Sequence, residues 1–185
     1  MKAIQDLRME HDAVRLTLKV LERMAQKIER DGSLANPQHM DHLLEFFTVF
    51  VDKCHHGKEE ELLFPALERV GVARDNGPIG VMLREHELGR KCVQKMKAVS
   101  PGIKAGEPLA AKNFVSVAHD YISLLNQHID KENNVLFPMA ERQLSEATLT
   151  ELSKGFDRIE EQKIGVGKHE EFHKMIDQLE SVYLK

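Results

Sequence analysis

The stretch HHGKEEELLFPALER at residues 55–69 returns 73 positions later as HIDKENNVLFPMAER at 128–142, with His, Lys, Glu, Leu, Phe, Pro, Glu and Arg in matching places. An ungapped match of this length marks an internal duplication, and a duplication constrains architecture before local propensities do. At an offset of 75, Ile4, Glu10, His11 and Arg15 answer to Ile79, Glu85, His86 and Arg90. The chain reads as two copies of one helical hairpin. Each copy gives a lone histidine from its first helix and an HxxxE from its second.

Hydrophobic periodicity fills in the helices. Ile4, Leu7, His11, Val14, Leu18, Leu21, Ala25 and Ile28 step by three and four along residues 3–29, which traces one buried helical face. Asn36 as cap and Pro37 in the first turn open a second helix, whose stripe is Met40, Leu44, Phe47, Val51, His55, Glu59 and Leu62. The third, over 78–98, aligns Ile79, Met82, His86, Gly89, Val93 and Met96; the fourth, over 108–142, aligns Phe114, Val117, Tyr121, Leu125, His128, Glu132 and Val135. Further helices are expected at 146–162 and 168–184, and turn-forming clusters at 31–37, 71–78 and 100–108 separate the segments. No strand pattern is present. The expectation is an all-α single domain over 1–185: an up-down antiparallel four-helix bundle at about 3–142 with pseudo-two-fold symmetry, and two additional C-terminal helices at about 145–185.

Residues four apart on a helix differ by roughly 40° around the axis and roughly 6 Å along it. His55 and Glu59 therefore share a face, as do His128 and Glu132. With His11 and His86, the duplication gathers four imidazoles and two carboxylates in one layer of the core. That is too many ligands for one metal and suits two ions bridged by the carboxylates. Without metal, two buried carboxylates cost several kcal/mol each, in the sense of about that order, or must take up protons. Imidazole with carboxylate fits iron, with zinc or manganese also possible. Two divalent ions outweigh two glutamates in charge, which invites an oxo or hydroxo bridge. Ferritin-like sites use ExxH, whereas this chain carries HxxxE.

A lone His, HxxxE, a lone His and HxxxE on four helices, with LFP after each HxxxE, resembles the hemerythrin-like, or HHE cation-binding, proteins over residues 3–142. The resemblance implies that His11, His55, Glu59, His86, His128 and Glu132 are ligands of a non-haem di-iron centre. Oxygen-carrying hemerythrins carry HxxxH on the third helix, where Met82 and Arg90 stand four residues either side of His86 here, and they end in HxxxxD.

Several residues lie outside this scheme. His169 and His173 form an HxxxH pair on the last helix and can either complete the iron coordination or cap the bundle. His56 and Glu60 repeat HxxxE one residue out of register and are expected in solvent, with Glu61 beside them. Glu10 and Glu85 precede the lone histidines, as hydrogen-bond partners of the ligands or as surface charges. Tyr121 either lines access to the metals or packs in the core; His119 is expected to be exposed, and His39 and His42 follow no pattern.

With a formal charge of −4 and a pI near 6.2, the chain has no nucleic-acid or membrane footprint. No apolar run approaches the ~20 residues of a membrane span, and MKAIQDLRMEHD lacks the apolar region of a signal peptide. A cytoplasmic location is expected, with Cys54 and Cys92 reduced. The functional expectation is a di-iron protein that binds, senses or buffers dioxygen, nitric oxide or iron itself, its partner being a small molecule and its oligomeric state open. The alternative is a di-iron enzyme acting on peroxide or nitric oxide, or repairing iron–sulfur centres. A structural zinc or manganese site is the third reading.

Overall fold

Six helices form where the apolar stripes place them in the computed structural model, which describes residues 2–165 and 167–185. Helix α1 is Lys2–Asp31. Helix α2 runs continuously through Gln38–Phe46, Phe47–His56, Glu59–Leu63 and Phe64–Arg69. Helix α3 is Pro78–Lys104, and α4 runs through Pro108–Lys131, Glu132–Leu136 and Phe137–Gln143. Helices α5, Glu146–Lys163, and α6, Lys168–Tyr183, follow. No strand occurs among the described residues, and no helix among them is long and apolar enough to cross a membrane.

Two starts follow directly from the sequence. Asn36 Oδ1 accepts a hydrogen bond from the Gln38 amide at 3.1 Å, and Ser145 Oγ accepts one from the Thr148 amide at 3.1 Å, each satisfying a donor that the first turn leaves open. One end differs. Helix α3 was expected to stop near residue 98 but continues through Pro101, because Ser100 and Ile103 extend the buried face of Met96. The missing proline amide costs one bond, and burial on that face offsets it. Near the start of α3, a Cβ on Gly80 would stand 2.3 Å from the carbonyl oxygen of Arg74, so only glycine lets the preceding loop close against the helix.

The larger departure is in the winding. Phe47–His56, Glu59–Leu63 and Glu132–Leu136 are π-helical, and i→i+5 bonding widens the turn to roughly 4.4 residues. In such a turn the residue three after a buried position swings outward and the residue four after it stays inside. Leu62 and Val135, expected in the core, accordingly give way to Leu63 and Leu136, which are buried, while Val135 is 51% exposed. The last two π segments stand at equivalent places in the repeat. The duplication is therefore preserved in backbone winding as well as in side chains.

Apolar side chains fall into two clusters. One contains Val14, Leu18, Phe46, Phe47, Val51, Val93, Phe114, Tyr121, Leu125 and Phe172; the other contains Ile4, Leu7, Leu63, Phe64, Ile79, Met82, Leu136, Phe137 and Phe156. Helices α1 and α3 run from the second cluster to the first, and α2 and α4 run the other way. Helix α4 packs against α1 and α3, and α5 and α6 lie against α1. The stretch each of α1 to α4 contributes between the clusters is polar, and it holds the repeated His and Glu residues.

Candidate metal centre

His11, His55, Glu59, His86, His128 and Glu132 are all buried, at 2% exposure or less. Nε2 of His11 faces Nε2 of His55 at 3.1 Å, and Nε2 of His86 faces Nε2 of His128 at 3.1 Å. The carboxylates lie between these pairs. Glu132 approaches His11 Nε2 at 3.1 Å and His128 Nε2 at 3.2 Å, and Glu59 approaches His86 Nε2 at 3.4 Å and His55 Nε2 at 3.8 Å. One ligand atom each from His11, His55, Glu59 and Glu132 falls within 4.8 Å of the others, and the same holds for Glu59, His86, His128 and Glu132. Both groups are competent to hold a cation, and they share the two glutamates.

The outer nitrogens explain why the inner ones face each other. His55 Nδ1 donates to Glu10 Oε2 at 2.7 Å, and His128 Nδ1 donates to Glu85 Oε2 at 3.0 Å. His11 Nδ1 donates to Asn133 Oδ1 at 3.0 Å, and His86 Nδ1 donates to Glu60 Oε1 at 2.7 Å. An acceptor at Nδ1 holds a proton there and turns Nε2, the nitrogen free to bind a metal, inward. Lys58 holds Glu10 and Lys131 holds Glu85, again at equivalent positions of the repeat. The phenylalanine of each LFP has a role as well. Phe137 stacks on the His11 ring with centroids 5.2 Å apart, and Phe64 on the His86 ring at 5.9 Å.

These residues fit a metal on a direct observation: all four carboxylate oxygens of Glu59 and Glu132 are buried without a hydrogen-bond partner. Buried polar atoms are ordinarily satisfied, and here four orphans stand beside inward-facing ring nitrogens. Burial pushes both carboxyls up; at Glu132 the facing His128 and His11 outweigh it and hold the pKa well below the ordinary value. At Glu59 burial is reinforced by the charge on Glu132, which drives it well above. Burial lowers His128, but Glu132 outweighs that and brings it up to about 9. Without a cation, burial and mutual repulsion thus oppose two carboxylate charges in this layer. With cations both carboxylates can ionise.

The family model described as hemerythrin HHE cation binding domain matches residues 2–140. The chain belongs to this hemerythrin family. Among its relatives, an iron-sulfur cluster repair protein, YtfE, of Yersinia pseudotuberculosis is 30% identical over 71% of this chain and 61% of its own length. The YtfE protein of Edwardsiella ictaluri is 31% identical over 70% and 60%. An uncharacterized protein of Mycobacterium bovis is 22% identical over 88% and 63%. The chain thus spans about three fifths of the length of the curated relatives it matches. Membership of the hemerythrin family makes this a cation-binding protein.

Two expectations about the hemerythrin-like site are corrected. His56, expected in solvent, is 4% exposed and stacks on His86 with centroids 3.7 Å apart; the π winding of Phe47–His56 turns two consecutive histidines inward. Glu60 is half-buried, donor-bound to His86 and Arg90, rather than free in solvent. Only the duplication of its position by Asn133 hinted at this. Glu10 and Glu85 accept hydrogen bonds from the His55 and His128 rings rather than standing as surface charges, which resolves that alternative. Tyr121 is buried against Phe47, with ring centroids 4.9 Å apart, and lines a cavity of about 120 Å³ with His56, Asp52 and Arg90. Cys54 is buried, which pushes its thiol up to about 12, and Cys92 is half-buried. His119 and His42 are exposed, and His39 meets Tyr183.

The structure does not bring His169 and His173 into either metal-competent group. His169 Nδ1 lies 3.0 Å from Glu160 Oε1, and both histidines line a cavity of about 350 Å³ beside Lys58 and Phe50. The approach of His169 lowers Glu160 to about 2, against burial and with help from Lys58, and Glu160 in turn raises His169 above its ordinary 6.5. The stabilisation from Glu160 is lost as pH falls from its ordinary 4.5 towards 2, and that from His169 is lost as pH rises above 6.5. The destabilisation caused by His169→Ala should therefore be largest between those limits and shrink by pH 9. Both groups are about a third exposed, so it should stay under about 1 kcal/mol. Urea unfolding at pH 5.5 and 9 measures it; an equal loss at both would show that the pair contributes no charge-dependent stability.

Proposed function

We propose that this chain is a dinuclear non-haem iron protein that binds a small ligand, dioxygen or nitric oxide, or buffers iron itself. In this reading His11 and His55 would hold one ion and His86 and His128 the other, with Glu59 and Glu132 available to both. The observation that carries it is the meeting of four inward-facing imidazole nitrogens with four unpartnered carboxylate oxygens between two apolar clusters. The alternating course of α1 to α4 between those clusters supports an up-down antiparallel bundle, with α5 and α6 covering α1. Iron in this setting would supply one-electron chemistry and affinity for a small diatomic ligand. The protein supplies the rest. Glu10, Glu85, Asn133 and Glu60 fix the imidazole tautomers, Phe64 and Phe137 fix two ring planes, and the apolar clusters keep water out.

A second reading, repair of iron–sulfur centres, is favoured by the name that the Yersinia and Edwardsiella relatives carry. One experiment addresses both. The protein is purified anaerobically, its metals per chain are measured, and optical spectra are recorded with dioxygen, peroxide and nitric oxide. In parallel, iron transfer to a ferredoxin stripped of its cluster is followed. Close to two irons per chain and a spectral response to nitric oxide or dioxygen are expected. One iron per chain, or a fully zinc-loaded protein from native cells, would overturn the di-iron reading. Cluster rebuilding without a response to either gas would favour the second.

A further inference from the structure

Duplication gives each half of the centre the same outer arm, a lysine on a glutamate on the outer nitrogen of a histidine. Lys58, Glu10 and His55 form one, and Lys131, Glu85 and His128 form the other. The arms end differently. The Lys131 side chain is 40% exposed, and Glu85 is its one ion-pair partner among the described residues. Lys58 is 2% exposed and reaches a second carboxylate, Glu160 Oε2 at 3.2 Å, on a helix outside the repeat. We propose that Glu160 of α5 is a positioning residue for the His11 and His55 metal position: held by His169 of α6, it shares Lys58 with Glu10 and so keeps Glu10 a strong acceptor for the His55 ring. This rests on the two-metal reading above.

Contact is continuous from the last helix to the His55 ring. His169 Nδ1 lies 3.0 Å from Glu160 Oε1, Lys58 joins Glu160 to Glu10, and Glu10 Oε2 accepts from His55 Nδ1 at 2.7 Å. Glu10, Lys58, Glu160 and His169 line the same cavity of about 350 Å³. A lysine already paired with Glu10 needs no second carboxylate for neutrality, so Glu160 adds negative charge to the arm rather than completing it. An ammonium divided between two carboxylates neutralises each only in part. Glu10 therefore faces His55 with more of its charge than Glu85, beside a lysine of its own, presents to His128. The bond lengths follow that difference. His55 to Glu10 is 2.7 Å, and His128 to Glu85 is 3.0 Å; hydrogen bonds to charged acceptors shorten as they strengthen.

The consequence lies at the inner nitrogen. A stronger acceptor at Nδ1 makes Nε2 a better donor to a cation, so Glu160 and His169 act on His55 without touching it. Helices α5 and α6 do more than cover α1.

The test uses the whole chain with ¹⁵N-labelled histidine, first free of metal and then loaded with zinc. In the metal-free wild type the proton on His55 Nδ1 is expected downfield of that on His128 Nδ1, as the shorter bond requires. In Glu160→Gln, Lys58 turns to Glu10 alone, and the His55 proton should move upfield towards the His128 value while the His128 proton stays in place. His169→Ala, which frees Glu160, should move the His55 proton the same way by less. With zinc bound, Glu160→Gln should speed release to a chelator from one of two positions by roughly threefold to tenfold, less than for a group that touches the ligand itself. The other rate should not change. A His55 proton that stays in place in Glu160→Gln would overturn the proposal, as would equal movement at His128, or two release rates that rise together or not at all. If Glu160→Gln fails to fold, the His55 proton in His169→Ala decides alone. Two bound zinc ions without a selective shift at His55 defeat only this proposal. A selective shift in a chain that binds one zinc upholds the action of Glu160 on His55 and defeats the two-metal reading.

Discussion

Glu59→Ala and Glu132→Ala should each lower the retention of both metals by about a hundredfold or more, because each carboxylate belongs to both metal-competent groups. The metal-free proteins should then part company. In the absence of metal Glu59 is a buried carboxyl with two unsatisfied oxygens, its pKa driven up by burial and by Glu132. Removing it exchanges a desolvation penalty for a small cavity, so metal-free stability should change by less than about 1 kcal/mol. Glu132 is the carboxylate that balances His11 and His128 at 3.1 and 3.2 Å. Removing it strands a buried imidazolium and should cost about 3 kcal/mol or more. Metal content by elemental analysis and denaturant unfolding of the chelated variants measure the two effects. Equal metal-free stabilities would contradict the charge assignment, and full metal loading in either variant would contradict the shared bridge.

The repeat made the polar layer legible because two independent offsets, 73 and 75, each returned the same residue types at helical spacing. What it could not disclose was winding. An α-helical reading puts Leu62 and Val135 inside, and both are displaced by the next residue because π turns occupy Glu59–Leu63 and Glu132–Leu136. A π turn leaves no mark in composition or spacing, because the widened turn shows only in how His55, Glu59 and Glu132 meet the residues across from them. The same cause hid His56, which α-helical spacing sends to solvent. Lys58 and Lys131 were visible as matched residues, but their task of holding Glu10 and Glu85 depends on which side of α2 and α4 meets α1 and α3. Pro101 marked a helix end in the sequence and was overridden by burial of Ser100 and Ile103.

Chelation should lower the melting temperature without unfolding the protein at room temperature. A ligand that binds only the folded state stabilises it by about 4 kcal/mol at a thousandfold excess over its dissociation constant. For a chain of this size that corresponds to a shift of about 10 °C. The fold survives because two apolar clusters lie on either side of the metal layer and owe nothing to it. Reloading should release a proton near neutral pH, since the pKa of His128 is raised to about 9 by Glu132, and the upward shift of Glu59 adds to that release. A group with a raised pKa must give its proton up before it can serve as a ligand, so affinity should climb as pH rises towards 9 and level off above it. Calorimetric titration with metal in buffers of different ionisation enthalpy counts the protons, and melting curves of holo and chelated protein read the stability. Coincident melting curves, or uptake with no proton released at pH 7, would place the bound metal somewhere other than between His11, His55, His86, His128 and the two glutamates.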